Sequence, residues 1–182
     1  GETVRVVSYK DEVLGIAAYS PASSIRARFW SFDDEEVNED FFYQRIHQAL
    51  RLRQRMNLDR SGNAMRLVHG ESDGLPGLIV DQYADVAVVQ ILAAGADRWR
   101  DKIFNVLTKL EGIQTVVERS DADVRLLEGL ETRTQVISGH LVNPLEIVEH
   151  GIRYRVDVMN GQKTGFYLDQ CQNRKLVMET AN

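Results

Sequence analysis

Leu78-Ile79-Val80-Asp81-Gln82-Tyr83 and Val86-Ala87-Val88-Val89-Gln90-Ile91-Leu92 are two β-strands about a short break at Ala84-Asp85. Their β-branched and aromatic side chains suit strands, and the break supplies a turn. Upstream lie a short strand, Met65 to His69, and a turn-rich stretch, Gly70 to Gly77 (GESDGLPG). Downstream, Asp97 is placed to cap a helix running to Leu110. Trp99, Ile103, Val106, Leu107 and Leu110 form its apolar stripe, and Gly112 stops it. Thr115 to Glu118 is a further strand, and 121–131 a short helix or turn. Leu145 to Val148 and Arg153 to Val158 form a hairpin about His150-Gly151. Strands and one good helix in this order give a mixed α/β unit within an α+β chain.

Toward the N-terminus, residues 3–9, 12–19 and 25–32 are three short strands, the second bending at Gly15. In the third, Arg26 and Arg28 alternate with Ile25, Ala27 and Phe29, so both arginines share one face. After the acidic run Asp33 to Glu36, residues 39–56 carry Phe42, Ile46, Ala49, Leu50 and Met56 at helical spacing. The other face bears Arg45, Arg51, Arg53 and Arg55. On residue types alone that face is a solvated one paired with local acids; the sharper alternative is an RNA-facing surface. A polar loop, 57–64, follows.

The chain has 182 residues, 43% of them hydrophobic, so a sizeable core can be buried. Three prolines and 13 glycines argue against disorder. A net charge of −5 and a pI near 5.4 do not fit a non-specific nucleic-acid binder, so any RNA contact has to be local. The lone Cys171 excludes an internal disulfide and a multi-cysteine metal centre. His47, His69, His140 and His150 lack metal-ligand spacing, and no metal site is expected. With no membrane-length apolar run and no signal segment, a cytoplasmic protein is expected. Both ends read as interrupted, the last residues as a helix without a stop signal, so a piece of a longer protein is expected.

No dinucleotide or phosphate loop, nucleophile elbow or paired carboxylates are found, so no catalytic residue is assigned in this chain. One loop stands out, Asn160 to Gln170 (NGQKTGFYLDQ). Gly161 and Gly165 permit tight turns and close approach to a ligand. Lys163 offers a charge, Thr164 a hydroxyl, and Phe166 and Tyr167 flat surfaces. Asp169 and Gln170 then open a helix that Asp169 can cap. Residue types alone leave two readings: a ligand-binding loop or an ordinary connection.

Lys163-Thr164-Gly165-Phe166-Tyr167-Leu168-Asp169-Gln170, with Asn173-Arg174, resembles a signature of the S-adenosylmethionine-dependent ribosomal RNA large-subunit methyltransferases of the cytosine-5 methyltransferase I type. Gly70 to Asp81 (GESDGLPGLIVD) is similar to a segment of that family's central domain. Gly15 to Pro21 with Ser24 to Arg28 resembles the end of its PUA domain, a small RNA-binding β-barrel. The resemblance spans essentially the whole chain. It implies residues 1–36 as the C-terminal part of a PUA-like domain, 37–62 as a linking helix and loop, and 63–160 as a central α+β domain. Residues 161–182 would then begin a Rossmann-like methyltransferase domain that is not present. It also implies that Lys163, Thr164, Phe166, Tyr167, Asp169 and Gln170 line or support an S-adenosylmethionine pocket. The RNA contacts expected are Arg26, Arg28, Arg45, Arg51 and Arg53.

Cys171 stands where that family usually has arginine, which removes a charge near the pocket. It is not the family's nucleophile, whose place comes later in the sequence. Methylation at cytosine C5 needs a thiolate at C6 and a base drawn out of its stack. This chain would supply grip and cofactor walls but not the thiolate. It is therefore expected to be inactive alone, with ribosomal RNA as partner. The runner-up is a non-catalytic RNA-binding module, and the third reading a dimerising module that forms a homodimer through the central sheet's edge.

Overall fold

The computed structural model describes residues 1–56 and 62–181. The expected loop at 57–64 therefore lies largely outside the described residues. At its centre, β5 (Leu78–Tyr83) and β6 (Val86–Ile91) pair antiparallel from Tyr83↔Val86 to Leu78↔Ile91, with Ala84 at φ 55° in the turn. β4 (Ala64–His69) flanks β5. β7 (Thr115–Ser120) lies parallel to β6, and β8 (Arg133–Ser138), reached through the short helix α4 (Val124–Leu127), closes the order β4-β5-β6-β7-β8.

Every residue of β6 except Gln90 is buried, because both faces of the sheet are covered. Val80, Ala87, Val89 and Ile91 face one core with Phe42 and Ile46. Tyr83, Val88 and Val117 face another with Ile147, Val156 and Val158. Neighbouring strand residues point to opposite faces, so one apolar run serves two cores.

The first core is roofed by α1 (Glu39–Arg55), α2 (Ala94–Arg98) and α3 (Arg100–Leu107). Asn38 caps α1 by accepting from Phe41 N at 3.0 Å. The helix expected from Asp97 starts three residues earlier, breaks at Trp99, and has no side-chain cap. Asp97 lies inside α2, where its carboxylate accepts from Arg125 and Arg133, each at 2.9 Å. Two guanidinium donors outbid a backbone cap.

β1 (Glu2–Val7), β2 (Val13–Tyr19) and β3 (Ala27–Ser31) form a separate antiparallel sheet, and no closed barrel is seen among the described residues. It is welded to the rest by aromatic packing. The Trp30 ring meets Phe42 edge-on at 5.5 Å, and Gly95 lets α2 approach so closely that a Cβ there would stand 2.3 Å from that of Ala18.

The second core is closed by β9 (Leu145–Glu149) and β10 (Ile152–Val156). Their turn places His150 at φ 50° and Gly151 at φ 80°, the backbone that a two-residue hairpin requires. After the loop at 157–167, a 3-10 turn (Leu168–Gln170) leads into α5 (Cys171–Thr180), none of whose residues is buried. No helix among the described residues is long and apolar enough to cross a membrane.

Candidate functional site

The loop leaves β10 through a tight polar turn. Asp157 Oδ1 accepts from Asn143 Nδ2 (2.6 Å), Asn160 N (2.9 Å) and Met159 N (3.0 Å). These bonds, led by that from Asn143, hold its carboxyl down at about 2. Gly161 is required by close approach: a Cβ there would meet the Asp157 carbonyl oxygen at 2.3 Å and that of Gly165 at 2.9 Å. From β7, Arg119 reaches beneath the loop and donates to the carbonyls of Val158 (2.6 Å) and Gly161 (3.2 Å). Nothing local in the sequence marks Arg119 for this role.

Thr164 does not line a surface. It is fully buried, and its Oγ1 donates to Asp81 Oδ2 at 2.6 Å. Arg66 completes the seat through Nε to Asp81 Oδ1 (2.8 Å) and Nη2 to Oδ2 (2.9 Å). Tyr83 has one phenolic proton, which its OH shares between Thr164 Oγ1 at 2.7 Å and the Phe166 carbonyl oxygen at 3.3 Å. Since an ionised carboxylate only accepts, the threonine proton points at Asp81, and the tyrosine must donate to threonine. Burial first, then the Asp81 charge, push the Tyr83 phenol well above its ordinary value, so it stays a donor.

Lys163, by contrast, is exposed at φ 57°. Its Nζ pairs with Asp169 Oδ1 at 2.9 Å and lies 4.4 Å from the centre of the Tyr167 ring. Hydrogen bonding from Lys163 is the main cause that lowers the Asp169 carboxyl. Asp169 is not the expected helix cap: α5 begins at Cys171, and a lysine ammonium is the stronger partner. Tyr167 OH hydrogen-bonds Gln162, and Gln170 bonds Asp169 and Asn173.

Phe166 is half-buried, with the Arg174 guanidinium 4.3 Å from its ring centre and Tyr154 at 5.2 Å. Arg174 grips Glu149 in a two-pronged pair (2.6 and 2.8 Å) and the Tyr167 carbonyl (2.7 Å). Cys171 Sγ lies 3.3 Å from His150 Nε2. The six expected pocket residues thus divide: Lys163, Tyr167, Asp169 and Gln170 face outward, while Thr164 and Phe166 face in. Beside them a groove of about 490 Å³ runs between the end of α1, β4 and the start of α5, lined among others by Met56, Met65, Arg66, His69 and Leu168. Among the described residues no three His, Cys, Asp or Glu are placed to hold a metal ion.

The expected RNA-contacting arginines are not equivalent. Arg53 is buried, with Nη1 and Nη2 on the Asp73 oxygens (2.5 and 2.7 Å) and Nε on the Arg66 carbonyl (3.1 Å). Arg28 lies between Glu128 (3.2 Å) and Glu71 (3.4 Å). Arg45 pairs with Glu35 at 2.8 Å over the Phe41 ring. Arg26 and Arg51 are exposed, the former hydrogen-bonded to the Pro21 carbonyl. Glu71 and Asp73, both within 70–77, thus engage two of the five.

No family model matches the chain. It is 47% identical over 175 residues to the ribosomal RNA large subunit methyltransferase I of Alteromonas mediterranea, covering 96% of this chain and 44% of that protein. Against the protein of the same name from Shewanella amazonensis it is 47% identical over 178 residues (97% and 45%). The Pseudoalteromonas atlantica protein is 45% identical over 183 residues (100% and 46%). In fold it resembles a solved structure named as a methyltransferase in complex with SAH (TM-score 0.80, 22% identity, 95% of this chain and 44% of that one). A SAM-dependent methyltransferase from Streptococcus mutans, so named, gives a TM-score of 0.81 at 22% identity, over 97% and 45% of the two chains. The chain is therefore similar along nearly its whole length to ribosomal RNA large subunit methyltransferase I, and spans somewhat less than half of those curated relatives.

Proposed function

We propose that this chain is the part of an S-adenosylmethionine-dependent ribosomal RNA methyltransferase, acting at cytosine C5, that holds RNA and frames the cofactor pocket. The observation that carries the reading is the loop at 163–170. It is anchored from below through Thr164 and turns Lys163, Tyr167, Asp169 and Gln170 outward, in a chain 47% identical to a ribosomal RNA large subunit methyltransferase I. The outward groups fit one side of the cofactor. A lysine ammonium suits a carboxylate, a tyrosine ring a flat base, and an aspartate accepts from ribose hydroxyls. The cofactor supplies the methyl group. This chain's residues bind and orient it, while the thiolate that cytosine chemistry needs comes from outside the chain, which is inactive alone.

In this reading β1–β3 is the C-terminal part of a PUA-like domain, ribosomal RNA is the partner, and the cytoplasm the compartment. Arg26 and Arg51 are open to phosphate, whereas Arg28, Arg45 and Arg53 would have to leave ion pairs to reach it. The test is calorimetric titration of S-adenosylmethionine into this chain and into the protein at the length of its relatives. Binding and methyl transfer to ribosomal RNA in the long form alone support the proposal. A long form that binds no cofactor overturns it, and salt-sensitive RNA binding would then favour a non-catalytic RNA-binding module.

A further inference from the structure

We propose that Asp81 and Tyr83 are positioning residues for the cofactor: they never touch it, and set its affinity through the buried hydroxyl of Thr164. The inference rests on reading 163–170 as a cofactor wall, and goes beyond it by moving part of the binding determinant into the central sheet.

The argument runs through directed hydrogen bonds. Arg66 fixes both Asp81 oxygens, Asp81 accepts the Thr164 proton, and Tyr83 shares its one proton between Thr164 Oγ1 at 2.7 Å and, as the longer arm, the Phe166 carbonyl at 3.3 Å. Asp81, Tyr83 and Thr164 have essentially no exposed surface, so water cannot replace a lost partner. The chain therefore clamps the loop on both sides of Gly165, at residues 164 and 166. Directly before the clamp, Lys163 takes a left-handed φ of 57°, a conformation uncommon for residues other than glycine. That backbone turn aims the Lys163 ammonium over Tyr167 and toward Asp169. Without the clamp, Lys163 relaxes to an ordinary φ and its charge leaves the wall. A threonine placed here only to fill space would need no hydroxyl.

Thr164→Val, Thr164→Ser and Tyr83→Phe separate the hydroxyl from the methyl group and the donor from the ring. In this chain, amide hydrogen exchange should speed up at 163–168 in Thr164→Val and Tyr83→Phe, with β5 and β6 as protected as in the parent. In the protein at its relatives' length, the calorimetric affinity for S-adenosylmethionine should fall about tenfold in both variants, the size of one lost buried hydrogen bond. KM for the cofactor should rise to match, with kcat at saturation within roughly twofold of the parent, since only binding is affected. Thr164→Ser should restore both. If the parent binds and Thr164→Val binds as tightly, or if Thr164→Ser loses as much as Thr164→Val, positioning is overturned while the wall stands. If the parent binds no cofactor, wall and positioning fall together. Should Thr164→Val not fold, Tyr83→Phe carries the same comparison.

Discussion

Thr164 Oγ1 stands 2.6 Å from Asp81 Oδ2, a contact that joins the stretches 70–81 and 163–170, the two motifs on which the family resemblance rests. One ends in β5, the other forms the loop before α5, and the pair lies 83 positions apart in the chain. Their bond makes the loop an extension of the sheet.

Asp81 should accordingly be costly to remove. Its side chain is 1% exposed and holds Arg66, which is 33% exposed. Asp81→Ala leaves that guanidinium half-buried without its carboxylate, and should cost about 3–5 kcal/mol. Urea denaturation of this chain measures it, and a loss below about 1 kcal/mol would show that the pair is not a support.

Arg53 and Arg51 should separate in the same way. Arg53→Ala strips a buried two-pronged pair from Asp73 and should destabilise by roughly 3–5 kcal/mol. Exposed Arg51→Ala should change stability by less than about 0.5 kcal/mol, yet weaken RNA binding and lower its salt slope by about one. Melting curves and filter binding at two salt concentrations distinguish a structural arginine from one that meets phosphate.

These arginines also mark the limit of what the sequence disclosed. The pair β5 and β6 was legible because its apolar runs flank a two-residue break, and α1 because Phe42, Ile46 and Ala49 recur at helical spacing. The β9–β10 hairpin was legible from His150-Gly151. Strand β8 was not: it is an edge strand with one covered side, and RTQVIS shows no alternation. Arg53, Arg66 and Arg119 find their acceptors 20, 15 and 39 positions away, pairings that only the folded chain creates. For the same reason the sequence showed Thr164 only as a hydroxyl that would line or support the pocket, without the aspartate in the middle of the chain that is its partner.

Acid should loosen the base of α5. Glu149 is held below its ordinary value chiefly by the hydrogen bond from Arg174. A carboxyl depressed in the folded state contributes stability that is complete above its unfolded value near 4.3 and is lost as pH falls through the folded one. Glu149→Gln should therefore be less stable than the parent at pH 7, and the difference should shrink below about pH 4. Denaturation at pH 7, 5 and 3 tests this; a constant difference across the series would contradict it.

The small sheet and the central sheet should unfold together, because Trp30 and Phe42 belong to one continuous core. Tryptophan fluorescence, from Trp30 and Trp99, and far-ultraviolet circular dichroism should give coincident thermal transitions. Two separated transitions would mean that residues 1–36 fold as an independent unit.

The most direct test of the cofactor wall is the affinity of the protein at its relatives' length for S-adenosylmethionine, compared with its Lys163→Ala variant. The ammonium is exposed and its ion-pair partner, Asp169, is exposed too, so its loss should leave the fold intact. Removing a charge-assisted contact should weaken binding by about 10- to 100-fold. Equal affinity of parent and variant would contradict the claim that 163–170 forms a wall of the cofactor site.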